Sequence, residues 1–366
     1  MTREDEMRAF LAASGWGDAV VTPLPGDAST RSYARLTHGA RKALLMNQPQ
    51  GAETPVAPPG AGAEERRALG YNAVARLAGA DTARFAAVAA HLRDAGLSAP
   101  HVHAADHAAG FLVLEDLGDR LFADVLAQGG DERVLYRNAM EVLARLHAQA
   151  APERMGDKPL FAYDETALLA EADLLPEWYF PYALGRVAAE EEVEEHRALW
   201  RAALAPVLAA PKVFVHRDYH AQNLFWLPER RGAARTGLID FQDAVAGSRA
   251  YDLVSLLEDA RRDVDPAVAE AAVRHYLDTM RAQGTPVEEE QFRAEMAAIA
   301  AQRNAKIVGI FARLFRRDGK PRYLAYLPRV WDHLTNDLTH PSLTPLRAWY
   351  DRTIPFQTRF SGKDTA

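Results

Sequence analysis

The chain has 366 residues, of which 48% are hydrophobic and 25% are charged, and this is enough for a large core in one or two domains. It contains no cysteine, which excludes a disulfide framework and a thiolate metal site. The net charge of −7 argues against a nucleic-acid-binding face, and no apolar run approaches the roughly 18 residues that span a membrane. Because the acidic start lacks the apolar core of a secretory signal, we expect a soluble, cytoplasmic protein.

The N-terminal part predicts a small antiparallel sheet. A helix is predicted over residues 4–14, and alternating or apolar runs predict strands over residues 20–24, 31–36 and 42–47. The turn at residues 25–30 consists of small residues, so its backbone N–H groups can approach phosphate oxygens. The same composition also occurs in ordinary turns.

A break in this pattern follows the third strand. Residues 48–63 are rich in proline, glycine and alanine, and we expect a mobile excursion there. Helical spacing of Phe85, Val88 and Leu92 then predicts a helix that ends at Gly96.

Two further strands are predicted over residues 101–104 and 111–114, and an acidic turn containing Gly118 follows the second. Such a turn is typical of a hinge between lobes. In this hinge the backbone groups of Glu115 and Leu117 are candidates for hydrogen bonds to an adenine edge.

After residue 120 the pattern is almost entirely helical. We therefore predict an α+β fold of two lobes, with a small antiparallel-sheet N-terminal lobe at residues 1–114, a hinge at 115–120 and a large, mainly helical C-terminal lobe at 121–366. An aromatic cluster near Trp178 either stacks on a sugar ring or packs between helices.

One stretch carries most of the chemistry. An apolar run at residues 213–215 leads into His216 and Asp218, and Asn223 follows Asp218 by five positions. A predicted hairpin separates this stretch from Asp240. Phosphoryl transfer requires a carboxylate that faces the acceptor hydroxyl, and a carboxylate and an amide that hold Mg²⁺ on the nucleotide phosphates.

These requirements assign roles to the four residues. Asp218 orients the acceptor hydroxyl and takes its proton late, while Asn223 and Asp240 supply hard oxygen ligands to Mg²⁺. His216 braces the loop through hydrogen bonds. The competing interpretation is that Asp218 and Asp240 are unrelated turn carboxylates.

The stretch at residues 216–223, together with Ile239-Asp240-Phe241-Gln242-Asp243, resembles the aminoglycoside phosphotransferase and choline kinase family. Within it, the chain is most similar to the bacterial anomeric kinases of N-acetylmuramate and N-acetylglucosamine. Further matches are the segments at residues 26–33, 114–118, 251–257 and 302–311.

The resemblance implies a protein-kinase-like α+β fold and ATP-dependent phosphorylation of a sugar at its C1 hydroxyl in cell-wall recycling. It gives the catalytic role to Asp218, metal roles to Asn223 and Asp240, and a place near the phosphates to Ser29 and Arg31. It also implies that Asp252 is a structural carboxylate that braces the catalytic loop. Arg303 and Lys306 would suit the carboxylate of a lactyl group.

Three departures from the family pattern leave alternatives open. In the superfamily the third strand usually carries a lysine that reaches the nucleotide phosphates. Here Lys42 at the start of the strand reaches them, Arg31 takes this role, or the charge is absent. The helical glutamate that would pair with it is absent from residues 82–93, although Glu64 or Glu65 would be available. Asp243 contacts the sugar or the metal, or caps the turn.

Two other functions compete with the sugar kinase. A related kinase for choline, homoserine or an aminoglycoside would need acidic walls around a cationic substrate. A non-catalytic nucleotide-binding kinase fold would require degraded motifs, whereas Asp218, Asn223 and Asp240 are intact. We expect a monomer that acts on a small sugar substrate with ATP and Mg²⁺ and binds neither nucleic acid nor membrane.

Overall fold

The computed structural model describes residues 2–25, 31–49, 56–77 and 81–359. Helices and strands alternate in the first half of the chain, and helices dominate the second half. The strands are β1 (Val20–Pro23), β2 (Ser32–His38), β3 (Arg41–Asn47), β4 (Val102–Asp106), β5 (Phe111–Leu114), β6 (Arg154–Met155), β7 (Lys158–Pro159), β8 (Val213–Val215), β9 (Leu224–Trp226), β10 (Thr236–Leu238) and β11 (Val245–Gly247).

The α-helices are α1 (Arg3–Ala13), α2 (Ala63–Leu69), α3 (Thr82–Asp94), α4 (Phe122–Ala127), α5 (Glu132–His147), α6 (Glu165–Ala172), α7 (Glu190–Ala209), α8 (Ala250–Leu257), α9 (Pro266–Ala282), α10 (Glu289–Arg316), α11 (Leu327–Asp337), α12 (Thr344–Thr353) and α13 (Phe356–Arg359). Short π-helical segments occur at Asn72–Arg76 and Leu175–Leu184. Short 3-10 helices occur at Gly232–Arg235, Pro321–Tyr326 and Pro341–Leu343.

The chain forms two compact units. The first comprises Met1–Leu146, Pro152–Phe161 and Ala221–Ala244, and the second comprises His147–Ala151, Ala162–His220 and Val245–Ala366. This division does not follow the lobe boundaries expected from the sequence, and those boundaries stay a prediction.

The first unit is built on a five-stranded sheet in the order β1-β2-β3-β5-β4. Neighbouring strands are antiparallel, and Tyr33 of β2 lies opposite Met46 of β3. The predicted helix at residues 4–14 and the predicted strands are confirmed. The turn at 26–30 and part of the 48–63 excursion lie outside the described residues.

Helix α1 covers one face of this sheet. Phe10 and Leu11 of α1, with Trp16 just after it, pack against side chains of β2, β3 and β5 such as Leu45 and Val113. Since each large apolar side chain contributes roughly 1.5–3 kcal/mol when fully buried, this cluster stabilises the N-terminal sheet. Strand alternation places Tyr33, Leu44 and Met46 on the other face.

A hairpin in the first unit carries part of the predicted chemistry. Strands β9 and β10 pair antiparallel, with Leu224 opposite Leu238. The pairing continues one step further, because the N–H of Ile239 donates to the carbonyl of Asn223 at 3.2 Å. The predicted hairpin is therefore confirmed, and it brings Asn223 beside the residue that precedes Asp240.

The second unit is mainly helical, and a short pair of antiparallel strands, β8 and β11, leads into the stretch that begins at His216. Helix α10 is the longest helix of the described part of the chain, with 28 residues. Its Gly309 lies against the backbone of Leu174, where the Cβ of any other residue would collide with the Leu174 carbonyl group. Helix α10 and the start of the π-helical segment Leu175–Leu184 therefore pack at backbone contact distance.

Within the part of the chain that the structure describes, no helix has both the length and the apolar character needed to cross a membrane.

Candidate active site

Two proposed metal ligands converge in the first unit. The amide Nδ2 of Asn223 lies 3.4 Å from Oδ2 of Asp240. Asp240 has a left-handed backbone conformation with a φ of 62°, which is uncommon for a residue with a side chain and costs on the order of 1–3 kcal/mol. The hairpin and this turn therefore bring the carboxylate of Asp240 and the amide of Asn223 together.

The same carboxylate has two further partners. Oδ1 of Asp240 accepts hydrogen bonds from Nη2 of Arg31 at 2.8 Å and from Nε2 of Gln242 at 2.9 Å. The Arg31 side chain is mostly buried, with 12% of it exposed. Sequence reasoning placed Arg31 near the phosphates, and here it lies beside the proposed metal carboxylate.

The candidates for the third-strand lysine and its glutamate partner include exposed residues, whereas a buried arginine contacts the segment after Asp240. Lys42 is exposed at the start of β3, and Glu64 and Glu65 are exposed in the first turn of α2. Helix α3 carries Arg84, which is buried and donates to the carbonyls of residues 242 and 244 at 2.9 and 2.7 Å. Arg31, directly before β2, and Arg84 of α3 thus hold the segment around Asp240.

Asp243 forms an ion pair with Arg76, with Oδ2 and Nη2 2.8 Å apart. The side chain of Asp243 is 11% exposed and that of Arg76 is 34% exposed, so the carboxylate is the more shielded partner. The assignment of Asp243 to the substrate stays a prediction. No sequence pattern indicates Arg76 as its partner.

The predicted hinge segment makes hydrogen bonds and ion pairs within the first unit. The N–H of Glu115 donates to the carbonyl of His101 at 2.8 Å, and its carboxylate pairs with Arg230 at 2.6 Å. Asp116 forms an ion pair with Arg35 of β2, with Oδ2 and Nε 2.7 Å apart, and Leu117 is buried. The contacts of the Glu115 side chain are internal, so a nucleotide contact there would use its backbone, as expected.

In the second unit, Asp252 shapes the loop that holds Asp218. The carboxylate of Asp252 is fully buried and accepts hydrogen bonds from the N–H groups of His216 at 2.7 Å and Arg217 at 3.0 Å. Arg217 has a φ of 76°, and these bonds stabilise that unusual conformation. Burial raises the pKa of Asp252 to about 7, and the nearby charge of Asp218 adds to this rise. The two N–H groups that bind the carboxylate lower the pKa and so oppose it.

Asp218 lies at the edge of a cavity of about 150 Å³ in the second unit. Helix α10 contributes one wall, through both charged and apolar side chains, and the turn after α8 contributes another. The lining residues are Arg217, Asp218, His220, Tyr251, Ala260, Arg261, Arg303, Lys306, Ile307, Ile310 and Phe311. Asp218 and Arg303, which sequence reasoning proposed for catalysis and for substrate, therefore share one cavity.

Beneath this cavity lies a buried carboxylate that sequence reasoning missed. Oε1 of Glu171 is 2.8 Å from both Nη2 of Arg217 and Nζ of Lys306, and Oε2 accepts from the hydroxyl of Tyr163. Burial alone would raise the pKa of Glu171, but Lys306 and Arg217 hold it below its ordinary value. A signal was present, because a glutamate inside the apolar run Leu168-Leu169-Ala170-Glu171-Ala172 can be buried only if it is paired.

Two other predicted contacts stay predictions. Trp178 is half-buried in a π-helical segment and is not among the described residues that line the cavity. Ser29 lies outside the described residues. His216, proposed as a loop brace, is fully buried and packs its ring against the edge of Tyr219 at a centroid distance of 5.6 Å.

The chain is similar to known phosphotransferases. Residues 20–290 match the model of the phosphotransferase enzyme family (APH). The chain is 45% identical over 361 residues to the N-acetylmuramate/N-acetylglucosamine kinase of Caulobacter vibrioides, an alignment covering 98% of each chain. It is 33% identical over 330 residues to the protein of the same name from Pseudomonas aeruginosa, covering 89% of this chain and 86% of that one.

A solved structure supports the fold. The choline/ethanolamine kinase family protein from Mesorhizobium loti aligns with a TM-score of 0.56 at 17% identity, over 95% of this chain and 99% of that one. The chain belongs to the APH family of phosphotransferases. It is thus an enzyme, and the predicted family and the predicted protein-kinase-like α+β fold are confirmed.

Proposed function

We propose that the protein is an ATP-dependent kinase of the anomeric hydroxyl of N-acetylmuramate or N-acetylglucosamine. The observation that supports this most directly is the cationic cavity beside Asp218. The relatives named for these two sugars, which align over nearly the whole chain, support the choice of substrate. We place the reaction in the cytoplasm, carried out by a monomer in the recycling of cell-wall sugars.

The residues in the first unit suit Mg²⁺. Asp240 provides an anionic oxygen and Asn223 an amide oxygen, and hard oxygen ligands of this kind are what Mg²⁺ prefers. A bound Mg²⁺ would neutralise charge on the nucleotide phosphates. Arg31 adds a guanidinium beside the same carboxylate, and we assign it the electrostatic role that the third-strand lysine has in the wider superfamily.

Asp218 acts on the acceptor. Its carboxylate orients the sugar hydroxyl and takes its proton late, because the transferring phosphoryl group is only loosely bonded in the transition state. An anomeric hydroxyl is more acidic than an ordinary alcohol, so a modest carboxylate suffices as base. Asp252 keeps the loop in shape by accepting two of its N–H groups.

Adenine would contact the segment after β5. Because the Glu115 N–H already bonds within the first unit, we assign the carbonyl of Glu115 and the N–H of Leu117 to the adenine edge. Ser29 is assigned to the phosphates on family resemblance alone.

The cavity argues against the rival substrates. Choline and aminoglycosides are cations, and a cavity lined by Arg217, Arg303 and Lys306 would repel them. An uncharged or anionic acceptor fits this lining better.

A substrate panel with an ADP-release readout tests the proposal. N-acetylmuramate and N-acetylglucosamine should be turned over, whereas choline, homoserine and kanamycin should not. Phosphorus NMR of the product should report a phosphate coupled to the C1 proton of the sugar. Asp218→Asn should lower kcat by about 10²–10⁴-fold, the range expected for loss of a general base. Turnover of choline alone would overturn the assignment.

A further inference from the structure

We infer that Arg261 is the residue that binds the carboxylate of the N-acetylmuramate lactyl group and so sets the preference between the two sugars. This inference rests on the proposed function. The two sugars differ by one substituent, an ether-linked lactyl group at O3, which carries a methyl group and a carboxylate. A residue that contacts this substituent affects the binding of N-acetylmuramate and not that of N-acetylglucosamine.

The cavity beside Asp218 has an excess of positive charge. Among the described residues, four cationic side chains line it, against the single carboxylate of Asp218. The buried Glu171 offsets one of these charges, and in a chain with a net charge of −7 the remaining excess is still a local reversal of sign. Such a reversal favours an anionic group on the acceptor.

Three of these four cations are engaged with internal partners. Arg217 and Lys306 share the buried carboxylate of Glu171, each at 2.8 Å. Arg303 donates to the hydroxyl of Ser255 at 3.0 Å and to the carbonyl of Glu258 at 3.4 Å. Turning one of these side chains away from its partner would leave a buried or part-buried polar group without that contact, which is unfavourable.

Arg261 is differently placed. Its nearest carboxylate oxygen, Oδ1 of Asp259, is 3.8 Å from Nη1, beyond hydrogen-bonding distance, and a third of its side chain is exposed. That oxygen of Asp259 instead accepts the backbone N–H of Arg261 at 2.9 Å. The guanidinium can therefore bind a ligand carboxylate, in a bidentate manner, at a small cost.

The turn that carries Arg261 is held firmly. Arg329 of α11 donates to the carbonyl of Ala260 at 3.2 Å and pairs through two nitrogens with Asp263, at 2.6 and 3.0 Å. Because the backbone is fixed on both sides of Arg261, little order has to be gained when a ligand binds.

The part of the cavity that α10 forms suits the rest of the lactyl group. Ile307, Ile310 and Phe311 of α10 line the same cavity with apolar surface. A substituent with one methyl group and one carboxylate thus meets both an apolar wall and a guanidinium. N-acetylglucosamine has a hydroxyl at this position and gains from neither.

The test compares kcat/KM for the two sugars in wild-type protein and in Arg261→Gln. We expect the ratio of N-acetylmuramate to N-acetylglucosamine to fall by about 10- to 100-fold, mainly through KM, as for loss of a charged hydrogen bond. Arg261→Lys, which retains a point charge, should recover part of the ratio. Arg262→Gln removes the same charge from the next residue, which is not among the described residues lining the cavity, and should leave the ratio within threefold of wild type.

Two results would overturn the inference. One is a ratio in Arg261→Gln that stays within threefold of wild type, with both variants folded by circular dichroism. The other is an equal fall in Arg262→Gln, which would indicate a general charge effect. Wild-type protein that phosphorylates neither sugar would overturn the proposed function itself, and the role of Arg261 with it.

Discussion

Arg31 and Asp240 are 209 residues apart in the chain, and their side chains form an ion pair at 2.8 Å. The guanidinium is the more buried partner, with 12% of its side chain exposed against 35% for the carboxylate. A fixed positive charge therefore stands next to the carboxylate that we assign to Mg²⁺. We therefore propose that Arg31, rather than Lys42, is the cation at the nucleotide site.

Replacing Arg31 should weaken nucleotide binding. We expect Arg31→Ala to raise the Kd of Mg²⁺-ATP by about tenfold or more, corresponding to roughly 1.4 kcal/mol, because the site loses a charge next to the phosphates. Titration of ATP followed by calorimetry would measure it. Lys42→Ala is the matched control, since Lys42 is exposed, and its Kd should change less than twofold. The reverse ranking of the two variants would return the role to Lys42.

Glu171 should contribute to stability through its two cations. Glu171→Gln leaves Arg217 and Lys306 beside a neutral group in a buried site, and breaking such a pair costs about 3–5 kcal/mol. Urea unfolding followed by tryptophan fluorescence would give the difference in free energy of unfolding.

A control for Glu171 lies in the same helix. Glu165 of α6 is half-exposed and 3.4 Å from Arg201, so Glu165→Gln should cost under about 1 kcal/mol. Equal losses in the two variants would mean that the buried charges around Glu171 contribute nothing specific.

The stability of the second unit should depend on pH through His196. This imidazole is fully buried and accepts a hydrogen bond from Nε1 of Trp200 at 2.8 Å. Burial, with a smaller effect of Arg197, lowers its pKa from 6.5 to about 3. Between these values the unfolded chain binds a proton that the folded chain does not, so stability falls as the pH falls below 6.5.

The effect can be isolated with His196→Gln, which keeps an acceptor for Trp200 but does not titrate. Its destabilisation relative to wild type at pH 7.5 should shrink by about 2 kcal/mol at pH 5, since each unit below 6.5 removes about 1.4 kcal/mol from the wild type only. Denaturant unfolding at both pH values measures the difference. A destabilisation that is the same at both would show that His196 does not carry the dependence.

The sequence predicted those features that depend on neighbouring residues. The strands of the N-terminal sheet follow from alternation, and the β9–β10 hairpin follows from two apolar runs around a charged turn. This hairpin was enough to bring Asn223 close to Asp240. The family could also be identified from these motifs, because their spacing is local.

Contacts between distant residues could not be predicted in this way. Arg84 lies in a helical pattern whose spacing indicates only that a face is buried, and nothing in it points to the carbonyls of residues 242 and 244. Arg76 and Asp243 likewise meet across 167 residues. The sequence alone therefore cannot choose between Lys42, Arg31 and no replacement for the third-strand lysine, because the contacts around Asp240 depend on packing between distant segments of the first unit.

The contact of Gly309 with the Leu174 backbone limits how this enzyme can acquire new acceptors. Helix α10 has no room to slide toward that backbone, and it is the helix that bears Ile307, Ile310 and Phe311. Since we propose that these three side chains line the acceptor site, directed evolution toward bulkier amino sugars should succeed by replacing them with smaller residues. Libraries that rely on displacing the helix, or that replace Gly309, should mostly yield insoluble protein.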